Sequence, residues 1–240
     1  MLKRSMDPVC KIHGSSPKRG WRIFKSKTRA ICGDCEVERK ERWYAKHSEY
    51  AKQRSRQILA TVKLETMAAY CGGIPKCALC DEDDIDYLCL DHENGDGAQH
   101  RRTANVAKGR IYSWCKKNNF PSGLRVLCHN CNMREWRRMH GLGKSRSAMK
   151  NRRLKLQTLK HYGNGTADCS ICGESDIDVL ALDHVDGGGA KDRSNRGVSS
   201  GYPFYRRLRQ ERFPPGFRVL CCSCNMKESF KKLRTMDDPS

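Results

Sequence analysis

"FPSGLRVLCHNCNMRE", residues 120–135, returns as "FPPGFRVLCCSCNMKE", residues 213–228, a shift of 93 positions. Each version opens with a Pro/Gly turn, runs through a short stretch with apolar residues at alternate positions, presents a C-x-x-C pair and continues without Pro or Gly. That order reads as a strand, a tight thiol-bearing turn and a helix. Upstream the repeat continues at a shift of 92, with Cys77 over Cys169, Cys80 over Cys172, Asp91 over Asp183, His92 over His184, Gly95 over Gly187, Gly97 over Gly189 and Arg101 over Arg193. Lys63, Leu64, Thr66 and Tyr70 lie over Lys155, Leu156, Thr158 and Tyr162 in the same register. Two copies of this length are duplicated globular modules, because a solenoid needs three or more short repeats. The expected division is therefore an N-terminal piece over 1–57, a first copy over 58–140, and a basic linker with the second copy over 141–240.

Composition says what must hold such modules together. Hydrophobic residues make up 38% of the 240-residue chain, charged residues 31%, and mean hydropathy is −0.78. Little apolar surface is available for one large core, and small domains in that position depend on disulfides or metal. The N-terminal "MLKRSMDPVCKIHG" is polar and basic, with no apolar leader core, and no apolar run of membrane-spanning length occurs. The expected setting is intracellular, where paired cysteines hold zinc more often than they oxidise. A net charge of +20 points to a polyanionic partner, nucleic acid ahead of a membrane surface.

The 15 cysteines sort by spacing. Each copy carries C-x-x-C, then 47 or 48 residues, then C-x-x-C: Cys77, Cys80, Cys128, Cys131, and Cys169, Cys172, Cys221, Cys224. Two sulfurs from each tight turn complete a tetrahedral zinc site. "CKIHG" and "CGDC" add a third set, Cys10, His13, Cys32 and Cys35, so about three structural zinc ions are expected. Cys71, Cys89, Cys115 and Cys222 fall outside these sets and read as small buried hydrophobes.

"DYLCLDH" (86–92) and "DVLALDH" (178–184) place leucines at alternate positions and deliver an Asp-His pair at the end of a strand, the two side chains on opposite faces. Asn132 and Asn225 follow the last cysteine of each copy, in the first turn of the expected helix. A hard cation, Mg2+ or Mn2+, takes oxygen ligands, so Asp91 with the amide oxygen of Asn132 is a candidate site. A neutral His92 beside it is a candidate base toward an attacking water. The Gly-rich stretches after each pair, "NGDGAQHRR" and "DGGGAKDRS", read as turns or as places where backbone approaches phosphate.

With the cysteine sets, "LDHENGDGAQHRR" and "FPSGLRVLCHNCN" resemble the HNH endonucleases of the ββα-metal (His-Me finger) type, phage zinc-bound HNH proteins in particular, and more distantly endonuclease VII. The resemblance covers most of residues 70–230. It implies a small zinc-stabilised α+β fold: two tandem treble-clef, ββα-metal modules behind an N-terminal zinc module and a long helix over 36–70. It implies that His92 and His184 are general bases and that Asp91, Asn132, Asp183 and Asn225 hold the catalytic cation. The function so implied is a DNA endonuclease acting on duplex or branched substrate, its two sites forming an internal pseudo-dimer within one chain. The stretch between Asp-His and the last C-x-x-C is longer than in endonuclease VII and holds expected helices from Ile111 to Asn119 and from Phe204 to Arg212, so junction resolution does not carry over.

Arg101, Arg102, Arg193, Arg134 and Lys227 are the expected nucleic-acid contacts, within a wider basic set on the helices. Trp21, Tyr112, Trp114, Trp136 and Tyr205 read as core or zinc-site packing, and His100, matched by Asp192, as a substrate contact or a solvated residue. The rival reading is a non-catalytic zinc protein that binds nucleic acid or modulates transcription on a nuclease-derived fold.

Overall fold

The computed structural model describes residues 9–22, 30–106, 110–141, 143 and 145–235. They form two compact units, Met1–Ile58 and Leu59–Ser240. Both copies of the repeat lie in the second unit.

In the first unit β1 (Trp21–Arg22) pairs antiparallel with β2 (Ile31–Cys32). Helix α1 (Gly33–Cys71) starts directly after it and runs on into the second unit, with a break at His47, where φ is −128° and ψ 22°. This is the long helix read from the run without Pro or Gly, begun three residues earlier. Gly33 is required at its start, because a Cβ there would lie 2.6 Å from the carbonyl oxygen of Arg19.

The second unit takes the end of α1 and then runs twice through one plan. The first pass is β3 (Leu88–His92), α2 (Gly97–Thr103), α3 (Ile111–Lys117), β4 (Leu124–Cys128) and α4 (His129–His140). Helix α5 (Arg146–Tyr162) begins the second, followed by β5 (Leu180–His184), α6 (Gly189–Asn195), α7 (Tyr202–Gln210), β6 (Phe217–Cys221) and α8 (Cys222–Thr235). The fold is therefore a small α+β arrangement. Strands β3 and β4 are antiparallel, with Asp91 opposite Arg125 and His92 opposite Leu124. Strands β5 and β6 repeat this with Asp183 opposite Arg218 and His184 opposite Phe217.

Each copy has its own small core, and the cysteines belong to it. Met67, Leu88, Val126 and Leu127 pack with Cys77, Cys128 and Cys131, while Leu159, Val179, Leu180, Val219 and Leu220 pack with Cys169, Cys221 and Cys224. Tyr70 of α1 donates to the carbonyl of Pro121 at 2.8 Å, and Tyr162 of α5 to that of Pro214 at 2.7 Å. Before those prolines, Asn119 and Phe120, and again Arg212 and Phe213, sit at φ between 52° and 58°. Left-handed backbone at a phenylalanine is costly, and its recurrence at matched positions shows that the surrounding fold imposes it.

The copies meet along a seam of two-fold character. Asn130 and Ser223 occupy the same position in their respective C-x-x-C turns and bond reciprocally: Asn130 N–H donates to Ser223 Oγ at 3.2 Å, and Ser223 N–H to Asn130 Oδ1 at 3.0 Å. Arg134 of α4 reaches Glu174 at 2.6 Å and Asp176 at 2.9 Å, while its counterpart Lys227 of α8 pairs with Asp84 and lies 4.5 Å from the centre of the Tyr87 ring. Two residues expected to contact nucleic acid are thus committed to holding the copies together. Burial pushes the Asp176 carboxyl up, but the amide of Asp178 and the guanidinium of Arg134 outweigh it and hold the pKa below its ordinary value.

Asn130→Ala leaves the Ser223 amide without its acceptor inside a buried seam. The expected cost is about 1–3 kcal/mol, seen as a lower denaturant midpoint with zinc content unchanged, and an unaltered midpoint would show that the seam carries no stability.

Candidate functional site

Three clusters bring together the sulfur and imidazole ligands that the spacing assigned: Cys10, His13, Cys32 and Cys35; Cys77, Cys80, Cys128 and Cys131; and Cys169, Cys172, Cys221 and Cys224, the donor atoms of each within 4.8 Å of one another. A tetrahedral zinc with bonds of about 2.3 Å sets sulfurs about 3.8 Å apart. Cys80 and Cys128 stand 3.8 Å apart and Cys172 and Cys221 3.7 Å, so both sets are geometrically suited to zinc. Amides reinforce them: Cys131 N–H donates to Cys128 Sγ and Cys224 N–H to Cys221 Sγ.

In the first unit the turn of "CKIHG" is closed by paired bonds between the backbones of Cys10 and Gly14, which puts Cys10 and His13 on one side. His13 Nδ1 lies 3.4–3.7 Å from the sulfurs of Cys10, Cys32 and Cys35, and its Nε2 lies 3.1 Å from Glu38 Oε1. A carboxylate behind the imidazole is the arrangement that fixes the ring of a metal-binding histidine. The amides of His13 and Ile12 lower the Cys10 thiol to about 6, whereas its hydrogen bond to Cys10 and burial push Cys35 up to about 12. A divalent cation among these thiols favours the thiolate in all three.

The Asp-His pairs have partners that the sequence did not reveal. Asp91 accepts from Arg125 Nε at 3.0 Å, and Arg125 also binds Glu135 of α4 at 2.9 Å. Asp183, Arg218 and Glu228 repeat the triad at 2.9 and 3.0 Å. Bonding to Arg138 and Arg125 holds the Glu135 carboxyl down at about 2. Asn132 lies on α4 as expected, but its amide donates to Cys89 Sγ at 3.1 Å. Asn225 occupies the matching place on α8, where position 181, opposite Leu220, is an alanine and offers no sulfur. The signal for the triads was available, since Arg125 and Arg218 stand in the quoted repeat directly opposite the aspartates.

His92 and His184 turn the other way, toward α2 and α6. His92 Nε2 lies 2.7 Å from His100 Nδ1, and His184 Nε2 lies 3.0 Å from Asp192 Oδ2. His100 is therefore a partner of His92 and not a solvated residue, which corrects the sequence reading. It also stacks edge-on against Trp114, 4.3 Å between centres. Burial, and then the charge of His100, lower the pKa of His92. Asp192 is buttressed in turn by Arg196 at 2.9 Å.

The Gly-rich stretches are short helices and the turns that launch them. Gly95 and Gly187, at φ 68° and 78°, donate to the carbonyls of His92 and His184 at 2.9 Å and reverse the chain. Gly97 and Gly189 begin α2 and α6 over the histidine rings, and a Cβ at either would stand 2.8 Å from Nδ1. Each imidazole therefore has Nε2 on a partner and its Nδ1 edge close against a glycine where no side chain fits. In the first copy a cavity of about 340 Å3 is lined by His92, His100, Trp114 and Asp96.

Among the other expected contacts, Arg101 and Arg102 are exposed on α2, and Arg193 sits beside the His184 ring, its Nη1 3.1 Å from the same Cβ position at Gly189. Of the aromatics, Tyr205 is buried as expected, whereas Trp136 is 46% exposed and stacks on His140, outside any core. Among the described residues no helix is long and apolar enough to cross a membrane.

Cys128→Ser or Cys221→Ser should each remove about one zinc equivalent, measured by elemental analysis, and unfold the copy concerned, because binding energy at such a site is folding energy. Retention of the full metal content in both variants would remove these sulfurs from the ligand sets.

No family model matches the chain, and no curated protein or solved structure matches it, so the reading of these sites rests on their own geometry.

Proposed function

We propose that the Leu59–Ser240 unit is a metal-dependent DNA endonuclease with two histidine sites, one per copy. The observation that carries the reading is the duplicated imidazole, with Nε2 anchored by a residue eight positions on and Nδ1 set close to a glycine, and with a cavity beside it in the first copy. An oriented base bordering a space that admits a small molecule, as His92 does, is what hydrolysis requires. In this reading a water beside the ring gives its proton to Nδ1 of His92 or His184 while its oxygen attacks phosphorus. The P–O bond to the leaving strand breaks, and the leaving oxygen takes a proton from solvent. His100 and Asp192 hold the rings, and the imidazolium at His184 gains a carboxylate partner that His92 lacks.

The oxygen donors of Asp91 with Asn132, and of Asp183 with Asn225, suit a hard ion such as Mg2+ or Mn2+, which when bound would stabilise charge on the leaving oxygen. Arg125 and Arg218 stand on those carboxylates, and Glu135 and Glu228 are the groups that would retain the guanidinium as a cation takes the aspartate. The net charge of +20 and the basic helices suit a phosphate-rich substrate without specifying its sequence.

A second reading is favoured by the same triads. Aspartates already neutralised by arginine fit a zinc-stapled protein that binds nucleic acid and cuts nothing. Incubating supercoiled plasmid with Mg2+ or Mn2+, with and without EDTA, separates the two. For the nuclease, wild type linearises the plasmid, His92→Ala and His184→Ala each leave mainly nicked circles with cutting at the altered site down about 100-fold or more, and the double variant leaves the plasmid intact. Salt-sensitive binding without cleavage under any metal gives the protein to the second reading, and full double-strand cutting by either single variant would defeat the paired-site scheme.

Asp192→Asn provides a finer check. It keeps the hydrogen bond but removes the charge that stabilises the imidazolium, so cutting at the second site should slow while plasmid affinity holds. An unchanged rate would show that Asp192 has no positioning role.

A further inference from the structure

The pseudo-two-fold relation between the copies is also broken at a cleft rich in cations. A cavity of about 930 Å3 lies between α4, α5 and α7, lined among others by Arg134, Arg137, Arg138, Arg152 and Lys155. Its two carboxylates are already used, Asp176 by Arg134 and Asp178 by Arg152, and Arg138 is held by Glu135. Arg137, whose guanidinium carbon lies 5.3 Å from the centre of the Trp136 ring, and Lys155 have no carboxylate partner among the described residues. Arg137 Nε is buried and has no hydrogen-bond partner among the described residues. The ammonium of Lys155 lies in the same cavity, its pKa lowered to about 8 by burial and next by the charge of Arg137.

The other copy arranges the same position differently. The counterpart of Lys155 is Lys63, and the counterpart of Arg137 is Phe230. Lys63 donates to the carbonyl of Ile85 at 2.6 Å and lies 5.6 Å from the centre of the Phe230 ring. One cation with a carbonyl and an aromatic face is a satisfied arrangement. Two cations sharing a partly buried cleft are not, since each raises the cost of the other and a buried guanidinium N–H without an acceptor carries the full desolvation penalty.

We propose that the cleft between α4 and the α5–α7 pair binds a phosphate group through Arg137 and Lys155, at a place distinct from both histidine sites. A planar guanidinium beside an ammonium matches the oxygens of a phosphate, offering donors to two or three of them. The volume exceeds that of a lone anion and accommodates a nucleotide or a length of strand. The phosphate belongs either to a nucleic-acid backbone or to a free phosphoanion, and the chemistry is the same for both. Nothing in this inference depends on hydrolysis at His92 or His184.

The test compares wild type with Arg137→Phe, which installs the solution of the other copy, Lys155→Met, and the exposed Lys160→Met as a matched loss of one charge. Each is titrated with inorganic phosphate at low ionic strength and with a duplex oligonucleotide over a salt series, after its zinc content and melting temperature have been measured. The expected result is that Arg137→Phe and Lys155→Met each weaken binding about tenfold more than Lys160→Met, for at least one probe. If the strand supplies the phosphate, the slope of log affinity against log salt also falls by about one for each variant. If a free anion supplies it, only the titration with inorganic phosphate changes. Because each substitution relieves like-charge repulsion, both variants should melt no lower than wild type at low salt. Losses no greater than that of Lys160→Met for both probes overturn the proposal, whether or not the protein cuts DNA. If Arg137→Phe fails to fold, Lys155→Met and Arg137→Gln decide the matter alone.

Discussion

Sulfur in place of hydrocarbon is the constraint on which the second unit depends. Each copy encloses a core of a few aliphatic residues, and three of its four candidate metal ligands are buried among them. Cores of this size leave a domain marginal, and the thiols closing them would repel one another as thiolates were no cation present. With zinc at these sets, binding and folding would be one process, and the strands that carry the Asp-His pairs would take their position from it. Strands β4 and β6 end on the third cysteine of each set, so the register that sets Asp91 against Arg125 and Asp183 against Arg218 is tied to the cysteine cluster at one end.

The parts of this architecture that repeat were legible in the sequence. Paired C-x-x-C turns, alternating apolar residues before Asp-His, and runs without Pro or Gly gave the ligand sets, the strands and the helices α4 and α8, because each of those signals is local. What was not legible is what folding brings from elsewhere. "NGDGAQHRR" resembles a turn, yet Gly97 opens a helix, since glycine there answers to the ring of His92 and not to backbone freedom alone. His100 read as a substrate contact or a solvated residue because its counterpart is Asp192. Only the geometry shows that both residues perform one task, holding Nε2 of the histidine, with different chemistry.

Basic residues were the least readable class. Arg134 and Lys227 looked like any other cations on exposed helices, and a chain of net charge +20 invites assigning all of them to a polyanion. Their carboxylate partners lie about 40 and 143 residues away, on the opposite copy. Pseudo-symmetry is what separates the two roles. Cations that have a matched counterpart with matched acids serve the seam, whereas Arg137 has lost that match to Phe230.

The reciprocal bonds between Asn130 and Ser223 have a consequence for the metals themselves. Each of these residues lies inside a C-x-x-C turn of its own copy and bonds the turn of the other, and Tyr87 of the first copy comes within 3.9 Å of Cys224 Sγ in the second. A turn that loses its ion loosens, and its neighbour then loses a donor or an acceptor at the very loop that grips the second ion. With zinc in both sets the two ions would be linked through these bonds, each raising the affinity for the other, so a chain emptied at one set by substitution would hold its remaining ion more weakly.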